Sequence, residues 1–238
     1  MLRNSDIFTS NQTHIFDIDD TLISTFDSYS VAQKEVAYII LQKHTDHIKE
    51  RGSNQLKYLA KAFGTGNIDC FLSAFFHELR LANLTPEISL SQAKDEYISI
   101  FDKELNTFPS IINYLKLLSQ NSKSLFIASN GLTHKQLNKL KKFGLQKFFD
   151  QKNIFISEQF SSSEKKPSPV MLNKIFTENT ALSKASAVYY GDRESDIIAA
   201  KLAGVRVALV CINKVKNYNN IQNLNLAKPD YILDSWLL

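Results

Sequence analysis

Three carboxylates stand within four residues near the start of the chain, in the segment His-Ile-Phe-Asp-Ile-Asp-Asp-Thr-Leu. An apolar run precedes them, and side chains alternate along a strand, so we expect Asp17 and Asp19 to point the same way. Two carboxylates that close repel each other unless a cation or a shared proton relieves the repulsion. Such a pair can supply a nucleophile and a general acid. The alternative is a turn or a helix cap, which for Asp20 is the better interpretation.

A second acidic group follows another apolar run, in the segment Val-Tyr-Tyr-Gly-Asp-Arg-Glu-Ser-Asp. We expect Gly191 to permit a sharp turn off a strand, with Asp192 at the strand end and Asp196 in the first turn of a helix. Oxygen ligands without a neighbouring cysteine or histidine favour a hard cation such as Mg²⁺. Acidic side chains also stabilise helix N-termini, and for Asp196 alone both interpretations stay open.

Two further residues could handle a phosphate. Ser129 ends an apolar run and is followed by Asn130 and a glycine. A hydroxyl and backbone N–H groups at such a turn can hold phosphoryl oxygens, although Ser-Asn-Gly is also an ordinary turn sequence. Lys166 precedes a proline-rich segment and a predicted helix, where its ammonium could neutralise a phosphate or an aspartate. Taken alone, Lys165 and Lys166 also fit solvated surface lysines.

The elements that must position these residues alternate along the chain. The predicted strands are residues 14–18, 124–129, 154–157, 187–190, 205–211 and 231–233, and the predicted helices are residues 110–119, 133–143, 167–179 and 194–203. Strands separated by helices of this length predict parallel βαβ units in one sheet. The carboxyl ends of such strands line the ligand crevice, which is where the acidic groups stand.

Residues 28–105 interrupt this alternation, because they contain apolar residues at helical spacing and no convincing strand. They predict an insert of about four helices, two of which end at Gly64-Thr65-Gly66. We therefore expect an α/β core of residues 1–24 and 106–238 and a helical domain of residues 25–105. An exposed loop is expected over residues 213–225.

Composition does not indicate a particular class of partner. The 238 residues are 44% hydrophobic, and the net charge of +4 does not favour binding to nucleic acid or to a membrane. Five lysines between His134 and Lys147 are interpreted as a solvated helix face, with nucleic-acid binding as the alternative. Cys70 and Cys211 form no metal-spaced pair, and the N-terminus has no apolar run typical of a signal peptide. We expect a cytoplasmic protein in a reducing compartment.

In their order and spacing, the four groups resemble the motifs of the haloacid dehalogenase (HAD) superfamily. Those motifs look like Asp-x-Asp-x-Thr, a Ser or Thr after the second strand, a Lys often followed by Pro, and Gly-Asp-x-x-x-Asp. Here they stand as Asp17-Ile-Asp19-Asp20-Thr21, Ser129, Lys166-Pro167 and Gly191-Asp192-Arg-Glu-Ser-Asp196, over about residues 14 to 204. The resemblance implies a doubly wound parallel sheet with a Rossmann-like core and an inserted helical cap of the C1 type.

The resemblance also implies roles for the acidic residues. Asp17 would attack phosphorus and become an aspartyl-phosphate, while Asp19 would protonate the leaving oxygen and then activate water. Asp17, Asp192 and the backbone carbonyl of Asp19 would hold Mg²⁺, with Asp196 in or just behind that shell. Thr21 would help to orient the loop.

The same resemblance assigns the phosphoryl group to Ser129 and the N–H of Asn130, and it assigns charge compensation to Lys166. The implied activity is Mg²⁺-dependent hydrolysis of a small phosphomonoester, since dehalogenases lack an aspartate at the position of Asp19. A phosphomutase with the same core and a non-catalytic phospho-acceptor domain are the alternatives. In the helical insert, Arg51, His77, Arg80 and the loop at 64–66 are candidates for substrate contact, and exposed residues without that role are the competing interpretation.

Overall fold

A computed structural model describes residues 4–108, 110–212 and 228–236 of the chain. The loop predicted at 213–225 lies outside these residues. The described elements run, in chain order, as α1 (Asn4–Ser10), β1 (Thr13–Phe16), β2 (Ile23–Ser24), α2 (Phe26–Ile40), α3 (Asp46–Phe63), α4 (Ile68–Leu81), α5 (Leu90–Glu104), β3 (Asn106–Thr107), α6 (Ile111–Gln120), β4 (Ser124–Ser129), α7 (Thr133–Lys142), β5 (Ile154–Ile156), α8 (Val170–Glu178), β6 (Ala187–Gly191), α9 (Glu194–Ala203), β7 (Arg206–Val210) and β8 (Tyr231–Leu233). None of the described helices is long and apolar enough to cross a bilayer.

Six strands form one parallel sheet in the order β5-β4-β1-β6-β7-β8. After β5 the chain returns past β1 to begin the other half of the sheet, so β4 and β6 flank β1. Thr13 pairs with both Ser124 and Ala187, which aligns the starts of the three central strands. Their carboxyl ends therefore meet at one edge, beside the place where strand order reverses. The predicted α/β class with a parallel sheet is confirmed.

Alternation along the strands gives the sheet two different faces. One face packs its aliphatic side chains, such as Ile15 and Val207, against Met171 of α8 and Ile197 of α9. The opposite face carries an aromatic cluster made of Phe16, Tyr114, Phe149, Tyr190 and Trp236. Helices thus cover both faces, as in a doubly wound sheet, and both faces are buried.

The described chain divides into two compact units, one formed by residues 1–24 with 106–238 and the other by Thr25–Leu105. The second unit contains four helices, α2 to α5, as predicted. Their buried sides join in a single apolar core that includes Leu56, Phe71 and Tyr97. Helix α5 begins at a capping box, in which Ser89 and Gln92 exchange hydrogen bonds between side chains and backbone.

Three details differ from the sequence prediction. Strand β1 ends at Phe16 rather than Ile18, because the chain turns there and the carbonyl of Ile18 accepts hydrogen bonds from the N–H groups of Leu22 and Ile23. The short antiparallel pair β2–β3 and helix α1 were not predicted, since two-residue strands and a seven-residue helix carry too little periodicity to recognise. Helix α8 begins at Val170 rather than at residue 167.

Candidate active site

Three strand ends bring the predicted groups together. Asp17 follows β1 directly, Ser129 is the last residue of β4, and Asp192 follows Gly191, the last residue of β6. Because β1 pairs with both neighbours up to Phe16, these ends lie side by side. The N–H of Asp17 donates to the carbonyl of Tyr190 at 2.9 Å and so continues the ladder one residue past the strand. The parallel topology therefore places residues from distant parts of the chain at one site.

Asp17, Asp192 and Asp196 form an acidic cluster. One carboxylate oxygen from each lies within 4.8 Å of the other two. Oδ1 of Asp192 is buried and accepts no hydrogen bond from the described residues, whereas Oδ1 of Asp17 lies 3.0 Å from Nζ of Lys166. Oxygens that share one Mg²⁺ ion at about 2.1 Å are at most about 4.2 Å apart. The ligand set contains only oxygen atoms, its spacing is close to this limit, and Oδ1 of Asp192 is a buried acceptor without a donor, so the cluster fits a hard divalent cation.

Burial and mutual repulsion disturb the ionisation of this cluster. Burial, followed by the charges of Asp196 and Asp19, raises the pKa of Asp17 to about 6, although Lys166 opposes the change. Burial, followed by the charges of Asp196 and Asp17, raises the pKa of Asp192 well above its usual value. A bound cation would relieve the repulsion and favour the ionised carboxylates.

Lys166 is buried among the carboxylates, with only 6% of its surface exposed. Its Nζ lies 2.6 Å from Oδ1 of Asp196 and 3.0 Å from Oδ1 of Asp17, and it donates to the hydroxyl of Tyr189 at 2.6 Å. Burial alone would lower the pKa of Lys166, but the charges of Asp17 and Asp196 outweigh it and the pKa is raised. The ammonium is therefore charged and acts as a fixed cation beside Asp17, and the surface interpretation of Lys166 is wrong.

Asp196 differs from the other two carboxylates because both of its oxygens already have donors. Oδ1 pairs with the Lys166 ammonium and lies 3.2 Å from the Tyr189 hydroxyl. Oδ2 accepts a hydrogen bond from the backbone N–H of Arg193 at 3.0 Å. Asp196 thus holds Lys166 and the start of α9 in place. Among the cluster's members, it is the one best satisfied without a metal ion.

Gly191 is required for a reason other than the predicted turn. A Cβ built on Gly191 would lie 2.7 Å from Oδ2 of Asp196, closer than side-chain atoms normally approach. The missing side chain therefore leaves room for the Asp196 carboxylate at the end of β6. Gly191 does not adopt a left-handed conformation, so it is not needed for the predicted sharp turn. It is needed because Asp196 packs closely against its backbone.

Asn130 connects two loops of the site. Its Nδ2 donates to the carbonyl of Lys166 at 3.1 Å, and its Oδ1 accepts the N–H of Lys166 at 3.0 Å. This reciprocal pair fixes the main chain of Lys166 beside the end of β4. The side chain of Asn130 is thus already engaged, and a role in phosphate binding remains a prediction for its backbone N–H. Ser129 is buried next to it.

The Asp19 carboxylate is not a member of the acidic cluster and contacts side chains of α7. Nζ of Lys139 lies 2.5 Å from its Oδ1, and Nε2 of Gln136 donates to its Oδ2 at 2.9 Å. The alternation expected for a strand does not apply, since β1 ends three residues earlier. Ligation of a metal by Asp19 stays a prediction for its backbone carbonyl only. Asp20 occupies a left-handed turn with φ of 55°, in line with its predicted turn role.

Sequence reasoning missed three residues that touch the predicted site, namely Gln136, Lys139 and Tyr189. Lys139 was counted with the solvated lysines of α7, yet its side chain is only 11% exposed. One signal was present, because Gln136, Lys139 and Leu140 stand at i, i+3 and i+4 and so share a helix face with a core residue. No local pattern distinguishes Tyr189 from the other buried residues of its strand, which form part of the core.

The candidates for substrate contact in the helical unit lie on its surface. Arg51, His77 and Arg80 are exposed. Arg51 also lines a cavity of about 470 Å³ within that unit, together with Leu41, Phe75 and Glu78. Residues 64–66 connect α3 to α4, as expected. Contact of any of these residues with a substrate remains a prediction.

A family model described as haloacid dehalogenase-like hydrolase matches residues 14–210, which includes every motif of the site. The chain belongs to the haloacid dehalogenase-like hydrolase family. The predicted superfamily is therefore confirmed. This HAD-like hydrolase is 26% identical over 234 residues to a glyceraldehyde 3-phosphate phosphatase of Methanopyrus kandleri, with 92% of this chain and 94% of the relative covered. It is 25% identical over 224 residues to a phosphoglycolate phosphatase of Aquifex aeolicus, with 90% and 92% covered.

Solved structures show the same fold for this HAD-like hydrolase. The HAD-hydrolase candidate YfnB of Bacillus subtilis, crystallised bound to magnesium, has a TM-score of 0.65 at 22% identity, with 95% of each chain covered. A candidate beta-phosphoglucomutase of Thermotoga maritima has a TM-score of 0.68 at 21% identity, with 93% of this chain and 94% of that chain covered. At these identities the likeness establishes the fold alone.

Proposed function

We propose that this HAD-like hydrolase is a Mg²⁺-dependent phosphatase for small phosphomonoesters and that it acts through an aspartyl-phosphate on Asp17. The observation that carries the proposal is the buried cluster of Asp17, Asp192 and Asp196 around the charged Lys166. Buried carboxylates with raised pKa values beside a fixed cation are typical of catalytic sites. The relatives named as phosphatases support the same reaction class.

The residues present can perform both halves of the reaction. Asp17 attacks phosphorus, the bond to the leaving oxygen breaks, and that oxygen takes a proton from Asp19. Asp19, now ionised, takes a proton from water, and the water oxygen attacks phosphorus as the bond to Asp17 breaks. Inorganic phosphate leaves and Asp17 is regenerated. Lys166 offsets the negative charge that gathers where Asp17 and the phosphoryl group meet.

Asp17 and Asp192 would hold the cation, since Oδ1 of Asp192 has no hydrogen-bond donor among the described residues and carboxylate oxygens of the two residues lie within 4.8 Å of each other. Asp196 would stand behind them and orient Lys166, and the backbone carbonyl of Asp19 is the remaining predicted ligand. When bound, Mg²⁺ supplies positive charge that polarises the phosphoryl oxygens. Ser129 and the N–H of Asn130 are proposed to bind the phosphoryl group. The helical unit is proposed to act as a cap that selects the leaving group.

Phosphate release from a substrate panel tests the proposal. The panel contains glyceraldehyde 3-phosphate and phosphoglycolate, after the two relatives described above, together with pyrophosphate and a pyrimidine nucleoside monophosphate. With Mg²⁺, Asp17→Asn should lower turnover by at least about 10⁴-fold, because the nucleophile is lost. Asp150→Asn, which changes an exposed aspartate in the same unit, should retain full activity. Wild-type turnover in Asp17→Asn would contradict the mechanism, and interconversion of isomers without phosphate release would indicate a mutase.

Metal binding has a readout that does not depend on turnover. Mg²⁺ should raise the midpoint of thermal unfolding, because a ligand that binds only the folded state stabilises it. The increase should be strongly reduced in Asp192→Asn and unchanged in Asp150→Asn. An equal Mg²⁺ effect in Asp192→Asn and wild type would remove Asp192 from the ligand set.

A further inference from the structure

Gln136 of α7 contacts three residues of the proposed site, although the mechanism proposed above gives it no role. Its Nε2 lies 2.9 Å from Oδ2 of Asp19, 2.9 Å from the carbonyl of Asn130 and 3.2 Å from Oγ of Ser129. Its residue surface is only 2% exposed. Three acceptors surround one amide nitrogen, which assigns the amide orientation. Gln136 thus links Asp19 to both residues predicted to bind the phosphoryl group.

Gly131 makes this placement of Gln136 possible. A Cβ at position 131 would lie 2.9 Å from Nε2 of Gln136, and the backbone there has a φ of 145°. A side chain at this position would push the amide away from its three acceptors. Glycine at position 131 therefore allows the backbone conformation of the turn and also leaves space for the Gln136 amide.

Lys139 completes the environment of Asp19 from the next turn of the same helix. Its Nζ lies 2.5 Å from Oδ1, while Gln136 contacts Oδ2, so each carboxylate oxygen has its own donor. The exposed fractions of the two side chains in the ion pair are 11% and 24%. Such a pair is more sheltered from water than a surface ion pair, which has little energetic value. Both oxygens of Asp19 are held in one orientation by a single rigid element.

We propose that Gln136 and Lys139 are positioning residues that orient the Asp19 carboxylate for its proton transfers. The proposal rests on the proposed function, because it assumes that Asp19 is the acid/base. General acid–base catalysis contributes about 10²- to 10⁴-fold to a rate, and a misplacement of about 1 Å can cost about 10²-fold. Loss of either positioning residue should therefore lower kcat for an alkyl phosphate by about 10- to 100-fold and change its KM much less.

Substrates with different leaving groups separate positioning from a general structural effect. An alkyl phosphate needs its leaving oxygen protonated, whereas 2,4-dinitrophenyl phosphate releases a stable anion without a proton. The value of kcat/KM reports the steps up to formation of the phospho-enzyme. Lys139→Met and Gln136→Leu should lower kcat/KM by about 10- to 100-fold for the alkyl phosphate and by less than about threefold for the dinitrophenyl ester. Slow hydrolysis should follow a burst of dinitrophenolate.

Two variants serve as controls for Lys139→Met. Lys141→Met changes an exposed lysine of the same helix and should leave both kcat/KM values unchanged. Lys139→Arg keeps the charge and should restore most of the activity. In the Asp19→Asn background, Lys139→Met should have almost no further effect, because residues that act through one another are not additive.

Equal losses for both leaving groups in Lys139→Met, or no loss at all, would overturn the inference while leaving the proposed function intact. Thermal unfolding of each variant shows whether it is folded. If Gln136→Leu does not fold, Lys139→Met and Lys139→Arg still decide the matter. Failure of the proposed function would appear separately, as wild-type turnover in Asp17→Asn.

Discussion

Tyr189 and Tyr190 are consecutive residues of β6, and their hydroxyls serve two different networks on opposite faces of the sheet. Tyr189 belongs to a lysine network, in which its hydroxyl contacts Lys166 and Asp196 and lies 2.9 Å from the carbonyl of Ala128. Tyr190 belongs to a histidine network, in which its hydroxyl lies 2.8 Å from Nδ1 of His14 and 2.7 Å from the hydroxyl of Tyr114. All these groups are buried.

The two networks differ in charge. In the lysine network, an ammonium and carboxylates compensate one another, and the group adjoins the Asp17 nucleophile proposed above. In the histidine network, burial lowers the pKa of His14 to about 3 and raises the pKa of Tyr114 to about 12, so both groups are neutral at pH 7. The comparison teaches that burial of polar groups alone does not mark a catalytic site. The fixed charge of Lys166 beside carboxylates with raised pKa values is what supports the proposed catalytic site.

The largest expected effect of breaking the lysine network comes from Lys166→Met. Activity should fall by about 10²- to 10³-fold, because a preorganised cation is removed from the phosphoryl site. Loss of one member of a buried ion pair also costs roughly 3–5 kcal/mol of stability. Phosphate release and urea unfolding measure the two effects. Lys165→Met, at the exposed neighbouring lysine, is the matched control, and equal behaviour of the two variants would contradict the assignment.

The two tyrosines provide the direct comparison. Tyr189→Phe should lower kcat by about tenfold, because Lys166 loses one of the groups that orient it. Tyr190→Phe should leave kcat unchanged and lower the free energy of unfolding by about 1–3 kcal/mol, since buried partners of its hydroxyl lose a hydrogen bond. Steady-state kinetics and urea unfolding of both variants test the contrast. If Tyr190→Phe lost activity while its free energy of unfolding stayed that of wild type, the distinction between the two networks would be contradicted.

The smallest expected effect concerns stability alone and depends on pH. The folded-state pKa of His14, about 3, lies below the ordinary value of 6.5, so the unfolded chain binds more protons between these values. The stabilising contribution of neutral His14 is therefore present above pH 6.5 and is lost as pH falls, at up to about 1.4 kcal/mol per pH unit. Activity at pH 7 should be the same in His14→Gln and wild type.

The difference in unfolding free energy between wild type and His14→Gln isolates this contribution. Asp17 has the opposite effect, since its raised pKa makes the folded chain bind more protons between pH 3.8 and about 6. The contribution of Asp17 is common to both proteins and cancels in the difference. Urea unfolding between pH 7.5 and 5 should show the advantage of wild type shrinking as pH falls. A difference that does not change with pH would show that His14 is not held neutral.

Much of the fold was predictable because its signals are local. The apolar runs that became β4, β6 and β8 were recognised from short stretches of sequence, and four helices were expected in the insert. The acidic groups after β1 and β6 were also recognisable, because in each case the apolar run and the carboxylates that follow it lie within nine consecutive residues. Errors occurred where a tertiary turn overrode a local pattern, as after Phe16 and before Val170.

The sequence by itself determined that strands form along these apolar runs and that carboxylates, a hydroxyl and a lysine follow them, because alternation and composition act over a few residues. Only the tertiary structure decided which partners those groups meet. It turned Asp19 toward Gln136 and Lys139, brought the Tyr189 hydroxyl into contact with Lys166 and Asp196, and required Gly191 for packing. These contacts join positions as far as 120 residues apart in the chain. Distances between side chains on different elements arise from strand order and helix packing, which no short segment encodes.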